Sequence, residues 1–346
     1  MSKILVAASG TGGHIFPALA VAETLVAQGS QVEWLGVPDR LERSLLGDRF
    51  PLHLIEMEGI QERRWTAYGR SLAQLLQGTA RVKRLLDTRG FQAVLTTGGY
   101  IAAPTILAAR LSGIPVLLHE SNAIPGKVTR WLGRWCRQVL LGFPQAAHYL
   151  PGVATRLVGT PVRREFGQGQ ALHLSLPGDR PLIVVMGGSQ GARGLNRMVL
   201  QCAPAWLAAG AVIVHLTGAT DAAAVQELAP RDPAYLCFAF REDVAALLQR
   251  ASFVVSRAGA ASLAELSILG IPALLIPYPY AAEDHQYYNA LAFAQEHTAY
   301  LWREQADNQP ALCEQGLAWI REPPPRQPGS RHQQAAAVIA NLLLGF

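Results

Sequence analysis

The chain has 346 residues, half of them hydrophobic and 16% charged, with a formal net charge of +5. This composition excludes a disordered chain and a disulfide-built miniprotein, and the length suits two domains better than one. The basic balance, with a pI of about 9.2, points to an anionic partner such as phosphate, nucleic acid or an acidic membrane surface.

In chain order, "KILVAA" is an unbroken apolar run and predicts a buried parallel strand. Its length is that of a strand, not of a secretory leader. It runs into Gly10, Gly12 and Gly13, followed by His14, and a helix is predicted over residues 16–28 with Gly29 as its stop. Backbone N–H groups at such a strand–helix junction favour an anion. The spacing is not a dinucleotide fingerprint, because Ile15 stands in the third glycine's place, and no P-loop lysine follows. A ligand-free turn and a capping or packed histidine are the bland alternatives.

"QVEWLGV" predicts the second strand. Residues 63–86 combine Trp65, Tyr68, Leu72 and Leu76 with six Arg or Lys. The longest uncharged stretch, residues 91–109, approaches a membrane span in length. Gly98, Gly99 and Pro104 divide it into a strand, a loop and a helix over about residues 102–111. "IPVLLHE" is a further strand, and "HESNAIPGK" follows its end, where polar residues such as Asn122 meet ligands or build an Asx turn. "KVTRWLGRWCRQVLL" sets Trp131 and Trp135 among Arg130, Arg134 and Arg137. Basic and aromatic residues on helices suit an anionic membrane or nucleic acid; two ordinary amphipathic helices are the alternative.

The opening pattern recurs about 178 residues on, in "DRPLIVVMGGSQGARGLNRMVLQCAPAWLAAG". There Ser189 can donate to a phosphate or cap a helix. "AVIVHLTG", "AYLCFAF", "FVVSRAG" and "IPALLIPYP" continue as strands. Two Rossmann-like domains in tandem are predicted, with the boundary at "VGTPVRREFGQGQ" and a last helix, "RHQQAAAVIANLLLG", after a proline-rich turn. Ligands in such sheets gather at the carboxyl ends of the strands. Glu265, early in the helix after "SRAGAA", suits a ribose or is an ordinary helix glutamate. Gln286, with Glu283, Asp284, His285 and Asn289, suits sugar hydroxyls and matches no metal spacing. Cys136, Cys202, Cys237 and Cys313 lack CxxC spacing and are predicted to be reduced thiols, neither disulfide nor zinc site.

The ordered set "GTGGHIFPALA", "TTGGY", "HESNAIPGK", "GTPVR", "MGGSQGA", "SRAGAASLAEL" and "DHQYYNA" resembles the MurG family over essentially the whole chain. The resemblance implies an α/β protein of the GT-B fold, two Rossmann-like doubly wound parallel-sheet domains facing across a cleft. The domains would be residues 1–161 joined by the helix 331–346, and residues 162–330. It implies an inverting transfer of GlcNAc from UDP-GlcNAc to the muramyl 4-hydroxyl of lipid I, giving lipid II for peptidoglycan. Thr11, Gly12, Gly13, Asn122, Arg163, Ser189, Gln190 and Gln286 match donor-binding positions. So does the run Ala260, Ala261, Ser262, Leu263, Ala264 and Glu265, with Glu265 on the ribose.

The uracil would lie near Phe240 and Arg241, where the family often has isoleucine. Ser121 stands where the family has glutamine. Gly12, Gly13 and His14 would face the acceptor diphosphate, with His14 the candidate general base and Glu120 its competitor. Neither a metal nor a tightly bound cofactor is implied, and no nucleic acid. Peripheral attachment to the cytoplasmic face of the bacterial inner membrane, through Arg63, Arg64, Trp65, Arg130, Trp131, Arg134 and Trp135, is implied, and other cell-wall synthesis proteins are further partners. The rival readings are another GT-B enzyme such as a UDP-GlcNAc 2-epimerase, an NAD-dependent oxidoreductase, and a non-catalytic nucleotide-sugar binder.

Overall fold

The structure, a computed structural model, describes the chain except residues 11, 39–44, 58–64, 177, 179, 189–190 and 306–307, with backbone alone for 65–70. It divides into two compact units, Met1–Arg163 with Arg331–Phe346, and Arg164–Ser330.

In the first unit the elements are β1 (Lys3–Ala7), α1 (Gly12–Ala27), β2 (Gln31–Gly36), β3 (Leu52–Leu54), α2 (Trp65–Arg89) and β4 (Ala93–Thr96). They continue with α3 (Ala102–Ser112), β5 (Val116–Glu120), α4 (Lys127–Leu132), β6 (Gln138–Leu141) and β7 (Thr155–Leu157). The seven strands are all parallel, in the order β3-β2-β1-β4-β5-β6-β7. Successive strand residues face opposite sides, and both sides are covered, which is why the strand sequences are unbroken apolar runs. Ile4, Val6 and Leu95 pack with Ala18 and Ala22 of α1. Leu5, Ala7 and Val94 pack with Val82, Leu86, Ile106 and Ala109 of α2 and α3.

The second unit contains α5 (Glu165–Gln168), β8 (Leu182–Met186), α6 (Arg193–Ala208), β9 (Val212–Leu216), α7 (Ala222–Leu228), β10 (Tyr235–Phe238) and α8 (Val244–Arg250). It continues with β11 (Phe253–Ser256), α9 (Ala260–Leu269), β12 (Ala273–Leu275), α10 (His285–Ala294), β13 (Ala299–Leu301) and α11 (Gln309–Arg321). Its six strands are parallel in the order β10-β9-β8-β11-β12-β13. The last helix, α12 (Arg331–Leu344), belongs to the first unit. Ile339 and Leu343, at most 1% exposed, sit in the α1 cluster. Burying each such side chain contributes about 1.5–3 kcal/mol.

Three sequence expectations are corrected. The helix predicted from residue 16 begins at Gly12, so His14 lies in its first turn. The Trp131–Trp135 segment is a six-residue helix and a single 3-10 turn, Gly133–Trp135, and its tail is strand β6. Cys202 and Cys313, 111 residues apart, form a disulfide with Cα atoms 5.1 Å apart, against the prediction of reduced thiols. The packing of α6 on α11 brings them together, a proximity that spacing along the chain does not encode. Cys136 and Cys237 are free thiols. The 91–109 stretch is strand, loop and helix as predicted, and no described helix is long and apolar enough to cross a membrane.

Candidate functional site

Each sheet has one point where the strand order reverses: between β1 and β4 in the first unit, and between β8 and β11 in the second. Loops at such a point splay apart and leave a crevice at the strands' carboxyl ends. Both glycine loops follow the strand that borders the reversal.

In the first unit, Gly10 has φ +104°, open to glycine and costly for other residues. A Cβ on Gly12 would lie 2.7 Å from the Phe16 ring. Gly12, Gly13 and His14 form the first turn of α1, whose N–H groups have no carbonyl one turn back to bond. Pro17, inside α1, cannot donate to Gly13, which loosens that turn. The loop after β4 holds it from both sides. His14 Nδ1 lies 2.6 Å from the Thr97 carbonyl oxygen, and Thr97 Oγ1 donates to the His14 carbonyl at 2.9 Å. A carbonyl only accepts, so Nδ1 carries a proton, and in the neutral tautomer the lone pair is on Nε2. Gly98 and Gly99, both at positive φ, lie against the ring, with Cβ positions 3.4 and 3.8 Å from it. Those distances are ordinary contact, so it is the positive φ, +91° and +75°, that reserves these two positions for glycine.

The loop after β5 is organised by Glu120. Its Oε1 accepts from the Asn122 backbone N–H at 3.0 Å and from Asn122 Nδ2 at 3.2 Å. Its Oε2 accepts from the Gly126 N–H at 3.0 Å and from Thr129 Oγ1 at 2.7 Å. Four donors thus converge on a carboxylate that is 5% exposed. Its lone pairs thus hold its own loop, including Asn122, which favours His14 over Glu120 as the base. Beside it, His119 is fully buried, and burial pushes its pKa down to about 4, so the ring is neutral. Its Nε2–H donates to Gly159 O at 2.9 Å, and Nδ1 accepts from Ser121 Oγ at 3.3 Å. Ser121, the departure from the family pattern, therefore has a partner inside the protein. The Arg163 guanidinium stacks 4.6 Å from the Phe16 ring centroid, which brings it to α1.

In the second unit, the loop after β8 needs its glycines for different reasons. A Cβ on Gly187 would fall 2.4 Å from Ala192 Cβ, and Gly188 and Gly191 have φ of +97° and +88°. Ser189 and Gln190, like Thr11, Arg63 and Arg64, lie outside the described residues. Of the run from Ala260 to Glu265, only the first three residues are placed to offer backbone N–H groups. Leu263 already donates its N–H to Gly259 at 3.0 Å. Leu263 and Ala264 are at most 1% exposed and pack their side chains into the core. Glu265 is 8% exposed in the second turn, not a solvated helix glutamate. Arg241 is turned to its own loop: Nε and Nη2 bind the two oxygens of Asp243 at 2.7 and 2.6 Å. The guanidinium's hydrogen bonds hold the Asp243 carboxyl below the usual carboxylate range, against the opposing effect of burial. Phe240 is 67% exposed beside it.

Gln286, at the start of α10, accepts from the backbone N–H groups of Ala258 at 3.3 Å and Tyr278 at 3.0 Å. Two N–H donors fix which end is oxygen and leave the NH2 as the outward group. The sequence reading missed Arg257 and Glu304. Arg257 Nη1 donates to Ile276 O and Pro277 O at 3.0 and 3.1 Å, and Nη2 pairs with Glu304 Oε2 at 2.5 Å. The signal for Arg257 was a lone cation ending an apolar strand inside the quoted "SRAGAA". Glu304 had none. Among the described residues, no cluster of three His, Cys, Asp or Glu is placed to hold a metal ion.

On the first unit's surface, Trp131 is 68% and Trp135 40% exposed, with Arg134 stacked 5.7 Å from the Trp135 ring. Arg130 is half-buried, unlike the exposed Arg134 and Arg137. Trp65 opens α2, and its side chain lies outside the described set.

The chain matches the family model for the glycosyltransferase family 28 N-terminal domain over residues 4–141, and the one for the C-terminal domain over 182–343. It is 60% identical over 343 residues to a protein of Synechococcus sp. (strain JA-3-3Ab), across 98% of this chain and 90% of that one. That relative is named UDP-N-acetylglucosamine--N-acetylmuramyl-(pentapeptide) pyrophosphoryl-undecaprenol N-acetylglucosamine transferase. A protein of the same name from Rippkaea orientalis is 51% identical, across 100% of this chain and 99% of that one. Among solved structures, Acinetobacter baumannii MurG superposes with a TM-score of 0.76 at 30% identity, covering 100% of both chains. The UDP-GlcNAc 2-epimerase of Neisseria meningitidis superposes with a TM-score of 0.70 at 14% identity across 99% of this chain and 100% of that one, a likeness of fold alone. The two parallel-sheet units are thus those of the GT-B fold, and the chain is a glycosyltransferase of family 28 and a member of the MurG family.

Proposed function

We propose that the chain transfers GlcNAc from UDP-GlcNAc to the 4-hydroxyl of the muramyl residue in undecaprenyl-pyrophosphoryl-MurNAc-pentapeptide. The observation that carries this reading is the 60% identity, nearly end to end, with a transferase named for that reaction. The reaction is a direct displacement that inverts the sugar. The muramyl oxygen bonds to the anomeric carbon as the bond to the diphosphate oxygen breaks, and UDP leaves with the electron pair. The hydroxyl proton goes to His14 Nε2. The tautomer enforced by the Thr97 carbonyl supports that role, since it leaves Nε2 basic.

The donor diphosphate is met by the backbone of the loop at residues 187–191, by Ser189 and Gln190, and by the first turn of α9, Ala260–Ser262, and Arg163 matches a diphosphate-binding position of the family. These dipoles and the guanidinium supply the charge compensation without a metal ion in our reading. Glu265 holds the ribose and Gln286 the sugar, and Asn122 matches a sugar-contacting position of the family. Gly12 and Gly13, with His14 beside them, hold the acceptor diphosphate at the start of α1. Attachment to an anionic bilayer at the cytoplasmic face of the inner membrane is part of the same reading, supported by the exposed Trp131, Arg134 and Trp135.

The test is release of UDP from UDP-GlcNAc with and without a lipid I analogue. Release that depends on the acceptor, with the disaccharide as product, supports the reading. Release without acceptor, or conversion of UDP-GlcNAc to its 2-epimer, refutes it.

A further inference from the structure

We propose that Arg257 is a positioning residue that sets the GlcNAc end of the donor site by acting through Gln286. The inference rests on the donor reading given above.

Among the described residues, Gln286 is held by its amide oxygen. One of its two donors is the N–H of Ala258, the residue after Arg257, and the other is the N–H of Tyr278, the residue after Pro277. Arg257 itself spans the same gap: its Nη1 donates to the carbonyls of Ile276 and Pro277. The guanidinium and the glutamine therefore clamp the ends of β11 and β12 together side by side. The carbonyl of Ala258 is held as well, by Asn289 Nδ2 at 3.2 Å. If the 276–278 segment moves, the Tyr278 N–H moves with it and the Gln286 amide rotates.

Two further observations support this. The segment from β12 to α10 is strained, because Glu283 and Asp284 both adopt φ of 55° without being glycine. Such a conformation persists only where the surroundings over-determine it. Arg257 fixes its beginning, and Arg303, 3.0 Å from Asp284, fixes its end. The other arm of the Arg257 fork reaches Glu304, whose carboxylate overlies Gly194 so closely that a Cβ there would lie 1.7 Å from Oε1. Arg257, only 7% exposed, thus joins the loops after β11 and β12 to the first turn of α6. Two carbonyls and a carboxylate suit a planar guanidinium; the single ammonium of lysine cannot reproduce that fork.

The experiment is calorimetric titration of the full chain with UDP-GlcNAc and, separately, with UDP, for the wild type, Arg257→Lys, Gln286→Ala and the double variant. Arg257→Lys is expected to weaken UDP-GlcNAc about three- to tenfold more than UDP, the scale of one or two neutral hydrogen bonds. Gln286→Ala is expected to do the same, and the double variant to match Gln286→Ala alone. Equal loss for both ligands, or an Arg257→Lys effect that adds in full to that of Gln286→Ala, overturns the proposal. The ratio of two dissociation constants is unaffected by an unfolded fraction. Glu304→Gln, which leaves Arg257 its carbonyl partners, is expected to shift the ratio in the same direction by a smaller factor, and a wild-type ratio refutes the coupling through Glu304. A wild type that binds neither ligand overturns the donor reading itself, which the variants do not decide.

Discussion

Replacing Glu120 by glutamine separates a loop-organising carboxylate from a general base. The wild-type carboxylate accepts four hydrogen bonds, from Asn122 N, Asn122 Nδ2, Gly126 N and Thr129 Oγ1. Glutamine keeps one acceptor. Its NH2 must face one pair of donors, and the arrangement with least conflict turns it to Thr129, whose hydroxyl can accept in return. The Gly126 N–H then loses its partner. Hydrogen bonds to a charged group are worth about 1.5–3 kcal/mol and neutral ones about 0.5–1.5. Weakening three and losing one gives roughly 2–4 kcal/mol, after allowing for the easier burial of a neutral amide. In a unit of this size that lowers Tm by about 4–16 °C. The assay pairs thermal unfolding with steady-state kinetics well below the variant's Tm. The expected result is a lower Tm with turnover reduced less than tenfold. A wild-type Tm with turnover reduced a hundredfold or more, the loss typical of a missing general base, would refute the reasoning and return the base role to Glu120.

His14→Gln is expected to lower kcat by a factor of about 10²–10⁴ with little change in KM for UDP-GlcNAc, since the lost group is the proton acceptor; near-normal turnover with weakened acceptor binding would point to anion binding instead. Stability should fall on acidification from pH 6.5 toward 4. Burial lowers the pKa of His119, and of His215, which is fully buried on β9 between Tyr235 Oη and Asn196 Oδ1, from 6.5 to about 4, so below 6.5 the unfolded chain binds protons that the folded chain refuses. Each group can remove roughly 3 kcal/mol over that window. Urea midpoints at pH 7 and 4.5 measure it, and equal midpoints would contradict the neutral burial of both rings. Trp131→Ala combined with Arg134→Glu is expected to weaken binding to anionic vesicles at least tenfold while leaving turnover on a detergent-soluble acceptor intact. Unchanged vesicle binding would remove these residues from the membrane face.

The local sequence determined the elements and the chemistry of their junctions. Short apolar runs such as "ILVA" and "LIVVM", strand-length and closed by glycines, read as strands buried on both faces, and the glycines after them sit where the backbone must take positive φ or pass a neighbouring side chain. The repeat of strand, glycine loop and helix was likewise legible, because each piece depends on residues close together in the chain. Tertiary structure decided how these pieces are used. His14 was visible, but its tautomer depends on Thr97, 83 residues away. Glu120 was a candidate base, and the fold gathers Gly126 and Thr129 onto it. Leu263 and Ala264 match a binding motif, and helix periodicity turns their side chains into the core. The Cys202–Cys313 link and the Arg257–Glu304 pair join residues whose separation carries no periodic signal. The physical reason is shared by His14, Glu120 and the Arg257–Glu304 pair. Strand and helix formation follow from patterns within one turn or one pleat, whereas a hydrogen-bond partner is assigned only when loops from separate strands converge at the carboxyl edge of a sheet.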